Sequence, residues 1–325
     1  MAYQVELNAA LDAVQKASRL CRAVQQRLVA GSTLEKGDKS PVTVADFGAQ
    51  AVVSHLLALE FPHDPLVGEE DAADLRLNEG MRAKVVESVR SVLPDLHEDQ
   101  VIDAIDRGVH EGGGGRHWTL DPIDGTKGFL RLDQYAVALG LIVGGEVVLG
   151  VLGCPNLPVD PNDPDGERGC LFWGVKGDGA RWRPLHGGPV HPLYVDDVAD
   201  VAEARFCESV ESAHSNQDQS AQIAARLGIH KAPYRIDSQC KYAAVARGDA
   251  AIYLRLPTRA DYVEKIWDHA AGCRIVTEAG GTVTDVHGRP LDFGLGRKLT
   301  ENRGVIVTNG RFHDQVIEAV QAVLS

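Results

Sequence analysis

Apolar residues recur every three or four positions in the first part of the chain, which is the period of one face of an α-helix. This spacing predicts a long amphipathic helix over residues 3–30. After a polar loop, Thr43 is expected to cap a second helix that carries Asp46 in its first turn and runs to Pro62. The chain is therefore predicted to begin with two long helices.

The pattern then changes toward the period of two that is typical of strands. A short strand over residues 65–67 precedes helical stretches near 81–93 and 99–109. Extended segments are predicted over residues 117–121, 134–143, 146–154 and 170–175. Gly144 and Gly145 suit a hairpin turn between the second and third of these segments. The spacing predicts an antiparallel sheet.

The remainder of the chain alternates strands with helices. Strands are predicted over residues 204–210, 234–236, 250–256, 282–286 and 304–308, and helices over 220–227, 238–247, 266–279 and the final segment. Such alternation is typical of an α/β layer. A chain of 325 residues is long enough for two domains that meet at a cleft, and we expect them to comprise residues 1–192 and 193–325.

The overall charge is acidic, with 33 Lys and Arg residues against 46 Asp and Glu residues and a net charge of −13. A nucleic-acid groove is not expected, because phosphate backbones select surfaces rich in Lys and Arg. An acidic protein that handles a small anion needs local positive charge, which bound cations or a few basic side chains can supply.

Membrane and secretion signals are not expected. No segment approaches the roughly 18 uninterrupted apolar residues of a spanning helix, and the first residues lack the basic and apolar regions of a secretory signal. We expect a cytoplasmic protein, or one of an organelle stroma or matrix if a transit peptide was removed. The six scattered cysteines are expected to be mostly buried thiols, with a regulatory disulfide between Cys154 and Cys170 as the alternative.

The first candidate for a functional site is the segment Asp121-Pro122-Ile123-Asp124-Gly125-Thr126. Pro122 is expected to end the strand, so that Asp121 and Asp124 flank one tight turn. Their carboxylates and the Ile123 carbonyl could then converge on a hard cation that prefers oxygen ligands. The backbone N–H groups of Gly125 and Thr126 would point outward from a helix start as an anion site. The Asp-Pro and Asp-Gly pairs of this segment are also common in turns that have only a structural role.

Three further acidic residues occupy comparable positions at the ends of strands or the starts of helices: Glu69, Asp268 and Asp46. Each also has a structural interpretation, as part of a solvated acidic run, as a helix cap and as a first-turn charge, respectively. Several carboxylates in one cleft repel one another strongly unless metal ions lie among them. The group is therefore either dispersed or a metal site, and the spacing leaves both open.

These segments together resemble the lithium-sensitive, magnesium-dependent phosphatase superfamily that includes inositol monophosphatase. The sequences Gly68-Glu69-Glu70, Asp121 to Thr126 and Trp267-Asp268 match its three metal-binding motifs in order. The segments over residues 39–46, 126–131, 237–242 and 253–257 are similar to the 3′(2′),5′-bisphosphate nucleotidases of that superfamily. The resemblance implies an α+β protein with a layered αβαβα fold and an active site between its two domains.

The resemblance also implies roles for individual residues. Two or three Mg²⁺ ions would be held by Glu69, Asp121, Asp124, Asp268 and the Ile123 carbonyl. Asp46 and Thr126 would orient and deprotonate the attacking water. The 5′-phosphate side of an adenosine nucleotide would be bound by His214, Ser238, Lys241 and Arg255.

The implied reaction is hydrolysis of adenosine 3′,5′-bisphosphate to AMP and phosphate, with 3′-phosphoadenosine 5′-phosphosulfate as a second substrate and lithium as an inhibitor. We expect no nucleic-acid or membrane partner, and a monomer or weak homodimer. An inositol polyphosphate 1-phosphatase is the nearest alternative.

Two positions depart from the pattern of this branch. Leu132 follows Arg131 where the branch has glycine, and a positive φ at that position would strain a leucine by on the order of 1–2 kcal/mol. The segment His214-Ser215-Asn216-Gln217 lacks a second histidine. A nucleotide sensor with weakened catalysis is therefore a further alternative.

Overall fold

The computed structural model describes residues 2–30, 40–210, 217–257, 259 and 261–325. Two long helices, α1 (Gln4–Ala30) and α2 (Ser40–Glu60), open the fold as predicted. The predicted start of α2 is wrong, because the helix begins before Thr43 and Asp46 lies in its second turn. A proline at position 41 permits the earlier start, since the first turn of a helix requires no N–H partner.

Helix α2 is long and apolar enough to span a membrane by length and composition over Val42–Glu60. However, 72% of its most apolar stretch is buried inside the protein. Its side chains pack with those of α1 in the largest apolar core. The helix thus has the character of a core helix.

The first sheet contains seven strands in sequential order, β1 to β7. The strands are β1 (Leu66–Gly68), β2 (Arg116–Asp124), β3 (Ala136–Val143), β4 (Glu146–Pro158), β5 (Arg168–Val175), β6 (Gly179–Pro184) and β7 (His191–Leu193). Strand β1 is parallel to β2, and the other neighbours are antiparallel. Helices α3 (Ala73–Leu77), α4 (Glu79–Arg90) and α5 (Glu98–Asp106) lie between β1 and β2 in sequence.

The prediction that Pro122 ends its strand is wrong. Strand β2 continues to Asp124, which pairs with Ala136 of β3 after a shift of register that begins at Asp121. Such an irregularity accommodates a residue that has no N–H to donate to the ladder. The short helix α6 (Thr126–Leu130) then follows directly.

The second sheet has five strands in the order β11-β12-β10-β8-β9. They are β8 (Phe206–Glu208), β9 (Tyr234–Arg235), β10 (Ile252–Arg255), β11 (Thr282–Thr284) and β12 (Val305–Thr308). The helices of this half are α7 (Gln217–Arg226), α8 (Cys240–Ala246), α9 (Ala270–Glu278) and α10 (His313–Leu324).

The elements form five layers. Helix α1 packs on β3 and β4 of the first sheet, and α9 packs on β4 and β5. Helix α8 contacts α9, β4 and strands of the second sheet, so these two helices lie between the sheets. Helices α7 and α10 pack together, with α10 against β12. This arrangement confirms the predicted α+β fold of αβαβα type. The predicted domain boundary after residue 192 falls within β7 and stays a prediction.

All six cysteines are free thiols, and five of them are buried. Cys154 and Cys170 are directly paired in register across β4 and β5, but no disulfide joins them. Burial raises the pKa of both thiols above the ordinary value for cysteine. Both side chains therefore belong to the apolar core in the thiol form.

Leu132 has a φ of +62°, as the departure from the family pattern suggested. The Leu132 N–H donates to the Phe129 carbonyl (3.1 Å), and the Asp133 N–H donates to the Gly128 carbonyl (2.8 Å). These two bonds form the C-terminal motif that usually places glycine at the left-handed position. The leucine side chain is 43% exposed, so little packing offsets the backbone strain.

We expect Leu132→Gly to stabilise the protein by about 0.5–1 kcal/mol, because relief of the left-handed strain exceeds the extra entropy of an unfolded glycine. Urea unfolding of the two proteins measures this difference. Leu295→Gly is a matched control, since Leu295 is 47% exposed and its φ is not positive. The control should lose stability, and a loss in both variants would contradict the strain at Leu132.

Candidate functional site

A pocket of about 450 Å³ lies where the ends of β1 and β2 meet the segments that lead into α8 and α9. Ten of the twelve residues predicted for the site line this pocket: Glu69, Asp121, Ile123, Asp124, Gly125, Thr126, Ser238, Lys241, Arg255 and Asp268. Asp46 does not line it, but burial and the charges of Glu70 and Glu69 raise the pKa of Asp46, and the charge of Asp46 contributes to the raised pKa of Asp121. His214 lies outside the described residues.

The acidic residues of the pocket perturb one another. Burial, together with the neighbouring Asp268 and Glu70 carboxylates, raises the pKa of Glu69 to about 7. Burial also raises the pKa of Asp268 to about 6, even though the Arg255 guanidinium opposes the shift. Burial and the charge of Glu69 raise the pKa of Asp121 well above its ordinary value. These side chains are therefore costly to ionise together.

These raised pKa values make the stability of the folded protein depend on pH. A carboxyl whose pKa is raised on folding stabilises the protein below its ordinary pKa, and that contribution is lost as the pH rises through the folded-state value. For Glu69 and Asp268 the loss falls between about pH 4 and pH 7. At neutral pH the cluster therefore opposes folding unless a positive charge lies among the carboxylates.

The donor set fits divalent cations. Asp121 is 2% exposed, and its Oδ1 atom has no hydrogen-bond partner in the part of the chain that the structure describes. A buried carboxylate oxygen without a donor is costly and is satisfied by a cation. Carboxylates and a backbone carbonyl are the ligands that Mg²⁺ accepts.

The turn after β2 is fixed by its glycine and by α8. Gly125 has a φ of +95°, and a side chain there would place its Cβ 2.8 Å from the Cβ of Ser238. The Asp124 Oδ2 atom accepts a hydrogen bond from the Gln239 N–H (2.6 Å). Ser238 has a φ of +64° and precedes α8. The acidic turn and the start of α8 are thus held against each other.

Asp268 precedes α9 and does not lie within it, so the predicted helix over 266–279 began too early. The segment before the helix is held by Gln239, whose side-chain amide donates to the Trp267 carbonyl (2.9 Å) and accepts from the Gly272 N–H (3.1 Å). A Cβ at Gly272 would lie 2.3 Å from the Tyr242 ring, which explains the glycine in the first turn of α9. Gln239 was not predicted, although it lies inside the 237–242 motif.

Arg297 is a second residue that the sequence did not indicate. Its guanidinium donates to the carbonyl of Gly68 (2.6 Å), next to Glu69, and lies over the ring of Trp267 (4.8 Å), next to Asp268. It also donates to the carbonyls of Gly108 and His110. Arg297 thus joins the backbone segments that carry two of the acidic residues. No motif surrounds it, so only the folded structure reveals this contact.

The basic residues line the same pocket as the carboxylates. Lys241 is 5% exposed, and its ammonium lies 5.2 Å from the centre of the Tyr253 ring. Burial lowers the pKa of Lys241, while the nearby carboxylates, Asp124 the strongest, oppose that shift. The Arg255 guanidinium bonds to Glu264 (2.7 Å) and to the Tyr262 hydroxyl (3.2 Å). The pocket therefore combines a cluster of carboxylates with two positively charged side chains, Lys241 and Arg255.

A pocket that joins an acidic part, whose oxygen donors fit divalent cations, to a basic part within one αβαβα fold is typical of phosphatases. The sequence profile of the Inositol monophosphatase family matches residues 2–325. A 3′(2′),5′-bisphosphate nucleotidase of Schizosaccharomyces pombe is 46% identical over 343 residues, which cover 100% of this chain and 97% of the relative. 3′(2′),5′-Bisphosphate nucleotidase 1 of Arabidopsis thaliana is 48% identical over 343 residues, at 99% and 97% coverage.

The fold agrees with solved structures. An inositol monophosphatase from Anabaena superposes with a TM-score of 0.65 at 21% identity, covering 99% of this chain and 97% of that chain. The chain therefore belongs to the inositol monophosphatase family. It is an enzyme, a phosphoric monoester hydrolase, and the predicted resemblance to the 3′(2′),5′-bisphosphate nucleotidases is confirmed.

Proposed function

We propose that this enzyme removes the 3′-phosphate of adenosine 3′,5′-bisphosphate and releases AMP and phosphate. The observation that carries this proposal is one pocket lined both by the carboxylates and by Lys241 and Arg255. A substrate with two phosphate groups has one group to be cleaved and another to be bound. The relatives of 46% and 48% identity carry the name of this activity and support the same substrate.

The acidic residues would hold two or three Mg²⁺ ions. The ligands would be the side chains of Glu69, Asp121, Asp124 and Asp268 together with the Ile123 carbonyl. Bound Mg²⁺ supplies a nucleophilic water near neutral pH and compensates the charge that develops on the leaving oxygen.

Asp46 and Thr126 would act on the attacking water. Burial and the charges of Glu70 and Glu69 raise the pKa of Asp46, so its carboxylate is a stronger base than an exposed aspartate. Thr126 lines the pocket at the first residue of α6, where its hydroxyl can orient the same water. The proton would leave the water for the Asp46 carboxylate.

Lys241, Arg255 and Ser238 would bind the 5′-phosphate, and His214 would contribute from outside the described residues. The ammonium and guanidinium groups offer charged donors to phosphate oxygens. The same contacts suit the anionic 5′ end of 3′-phosphoadenosine 5′-phosphosulfate, which we propose as a second substrate.

Phosphate release from adenosine 3′,5′-bisphosphate and from inositol 1,4-bisphosphate, each with and without Mg²⁺, tests the function. We expect Mg²⁺-dependent hydrolysis with a clear preference for the nucleotide. A preference for the inositol ester would identify an inositol polyphosphate 1-phosphatase. Tight nucleotide binding without turnover would favour a sensor.

A further inference from the structure

Glu264 belongs to a buried hydrogen-bonded group behind Arg255, which lines the pocket. The residue is 5% exposed, and its Oε2 atom receives bonds from Arg255 Nε (2.7 Å) and His269 Nε2 (3.1 Å). The Tyr242 hydroxyl lies 2.8 Å from His269 Nδ1 and can donate to it, which leaves the Nε2 proton for Glu264. The Oε2 atom is therefore held by His269 as well as by Arg255.

The Arg255 guanidinium lies near two carboxylates, those of Glu264 and Asp268. Its Nε atom bonds to Glu264, whereas its Nη2 atom lies 3.7 Å from the Asp268 Oδ2 atom. Asp268 is one of the proposed metal ligands, and a shorter contact with Arg255 would draw the guanidinium away from the substrate. The ion pair with Glu264 keeps the Arg255 guanidinium from moving toward Asp268. Burial of the Glu264 carboxylate strengthens this ion pair.

The surroundings of Glu264 keep its carboxyl group ionised. Burial alone would raise its pKa, but the bond from His269 and the Arg255 charge bring the pKa to about 2. The carboxyl group is therefore ionised throughout the working range of an enzyme near neutral pH. Glu264, Asp268 and His269 also offer ligand atoms within 4.8 Å of one another, but Glu264 already accepts two hydrogen bonds. Glu264 is therefore better suited to hold an arginine than a metal ion.

We propose that Glu264 is a positioning residue that sets the specificity for a nucleotide carrying a 5′-phosphate, by holding the Arg255 guanidinium toward that phosphate and away from Asp268. The proposal rests on the proposed function, since it assigns the 5′-phosphate to Arg255. Glu264 does not line the pocket, so it acts on the 5′-phosphate through the arginine.

The test measures steady-state kinetics of Glu264→Gln with adenosine 3′,5′-bisphosphate and with 3′-AMP, which lacks the 5′-phosphate. Glutamine keeps the size of the side chain and removes its charge. We expect the KM for the bisphosphate to rise between about tenfold and a hundredfold, because a displaced arginine loses its contact with the phosphate. We expect kcat for the bisphosphate to fall by a smaller factor than the KM rises, since the reacting phosphate does not contact Arg255 and the displaced guanidinium acts on catalysis only through Asp268. The preference for the bisphosphate over 3′-AMP should shrink accordingly.

A second variant, Glu264→Asp, and the wild-type enzyme itself complete the test. Glu264→Asp keeps the charge on a shorter side chain and should recover part of the affinity for the bisphosphate. Equal losses of kcat/KM for both substrates, or an unchanged KM for the bisphosphate, would overturn the role of Glu264. A wild-type enzyme that does not distinguish the bisphosphate from 3′-AMP would instead contradict the proposed function.

Discussion

Replacing Asp124 with asparagine should abolish turnover while leaving the protein folded. The change removes a charged ligand of the proposed metal site, and we expect kcat to fall on the order of a thousandfold or more. The asparagine carbonyl can still accept the hydrogen bond from the Gln239 N–H, so the turn before α6 should keep its shape. Phosphate release from adenosine 3′,5′-bisphosphate at saturating Mg²⁺ measures the loss.

The same variant should be at least as stable as the parent when metal is removed. Asp124 adds to the repulsion that raises the pKa values of Glu69, Asp121 and Asp268, and its neutralisation relieves that repulsion. Thermal unfolding with a chelator at pH 8 tests this result. Asp71→Asn is a matched control, because Asp71 is exposed in the acidic run after β1 and does not line the pocket. Full activity in Asp124→Asn would mean that the turn has only a structural role.

Replacing Lys241 with methionine should raise the KM for adenosine 3′,5′-bisphosphate between about tenfold and a hundredfold, the loss expected for one charged hydrogen bond. Methionine occupies a similar volume, and the melting temperature shows whether loss of the ammonium, which compensates the charge of Asp124, also weakens the fold. Steady-state kinetics and thermal unfolding measure the two effects together.

Lys176→Met is the surface control for this variant, since Lys176 pairs with Glu146, is half exposed and does not line the pocket. It should leave KM unchanged. An unchanged KM in Lys241→Met, in a protein of normal stability, would remove Lys241 from the nucleotide site. A similar rise in KM for 3′-AMP would assign the lysine to the reacting phosphate and not to the 5′-phosphate.

The sequence predicted the elements of the fold because their apolar periods are strong. The two amino-terminal helices and the strands up to β5 lie close to their predicted positions. Strands β6 and β7 were missed, since they are short and the six residues of β6 include two arginines and a tryptophan. The continuation of β2 past Pro122 was also missed, because the irregularity that accommodates the proline depends on its pairing with β3.

The site was predictable only in part. Spacing alone left the acidic residues either dispersed or gathered, and the resemblance to a family chose between these alternatives. Gln239, Glu264 and Arg297 could not be assigned in this way, because their contacts join segments that meet only after folding. Leu132 was the exception, since one departure from a motif indicated a left-handed residue that the backbone contains.

The position of α8 and α9 between the sheets has a consequence for dissection of this protein. The two helices cover one face of the first sheet, yet they belong to the half of the chain that carries the second sheet. A fragment ending at residue 192 would expose a broad hydrophobic surface to water and would tend to aggregate. Neither half of the chain is then a suitable unit for expression by itself, and residues from both halves line the pocket.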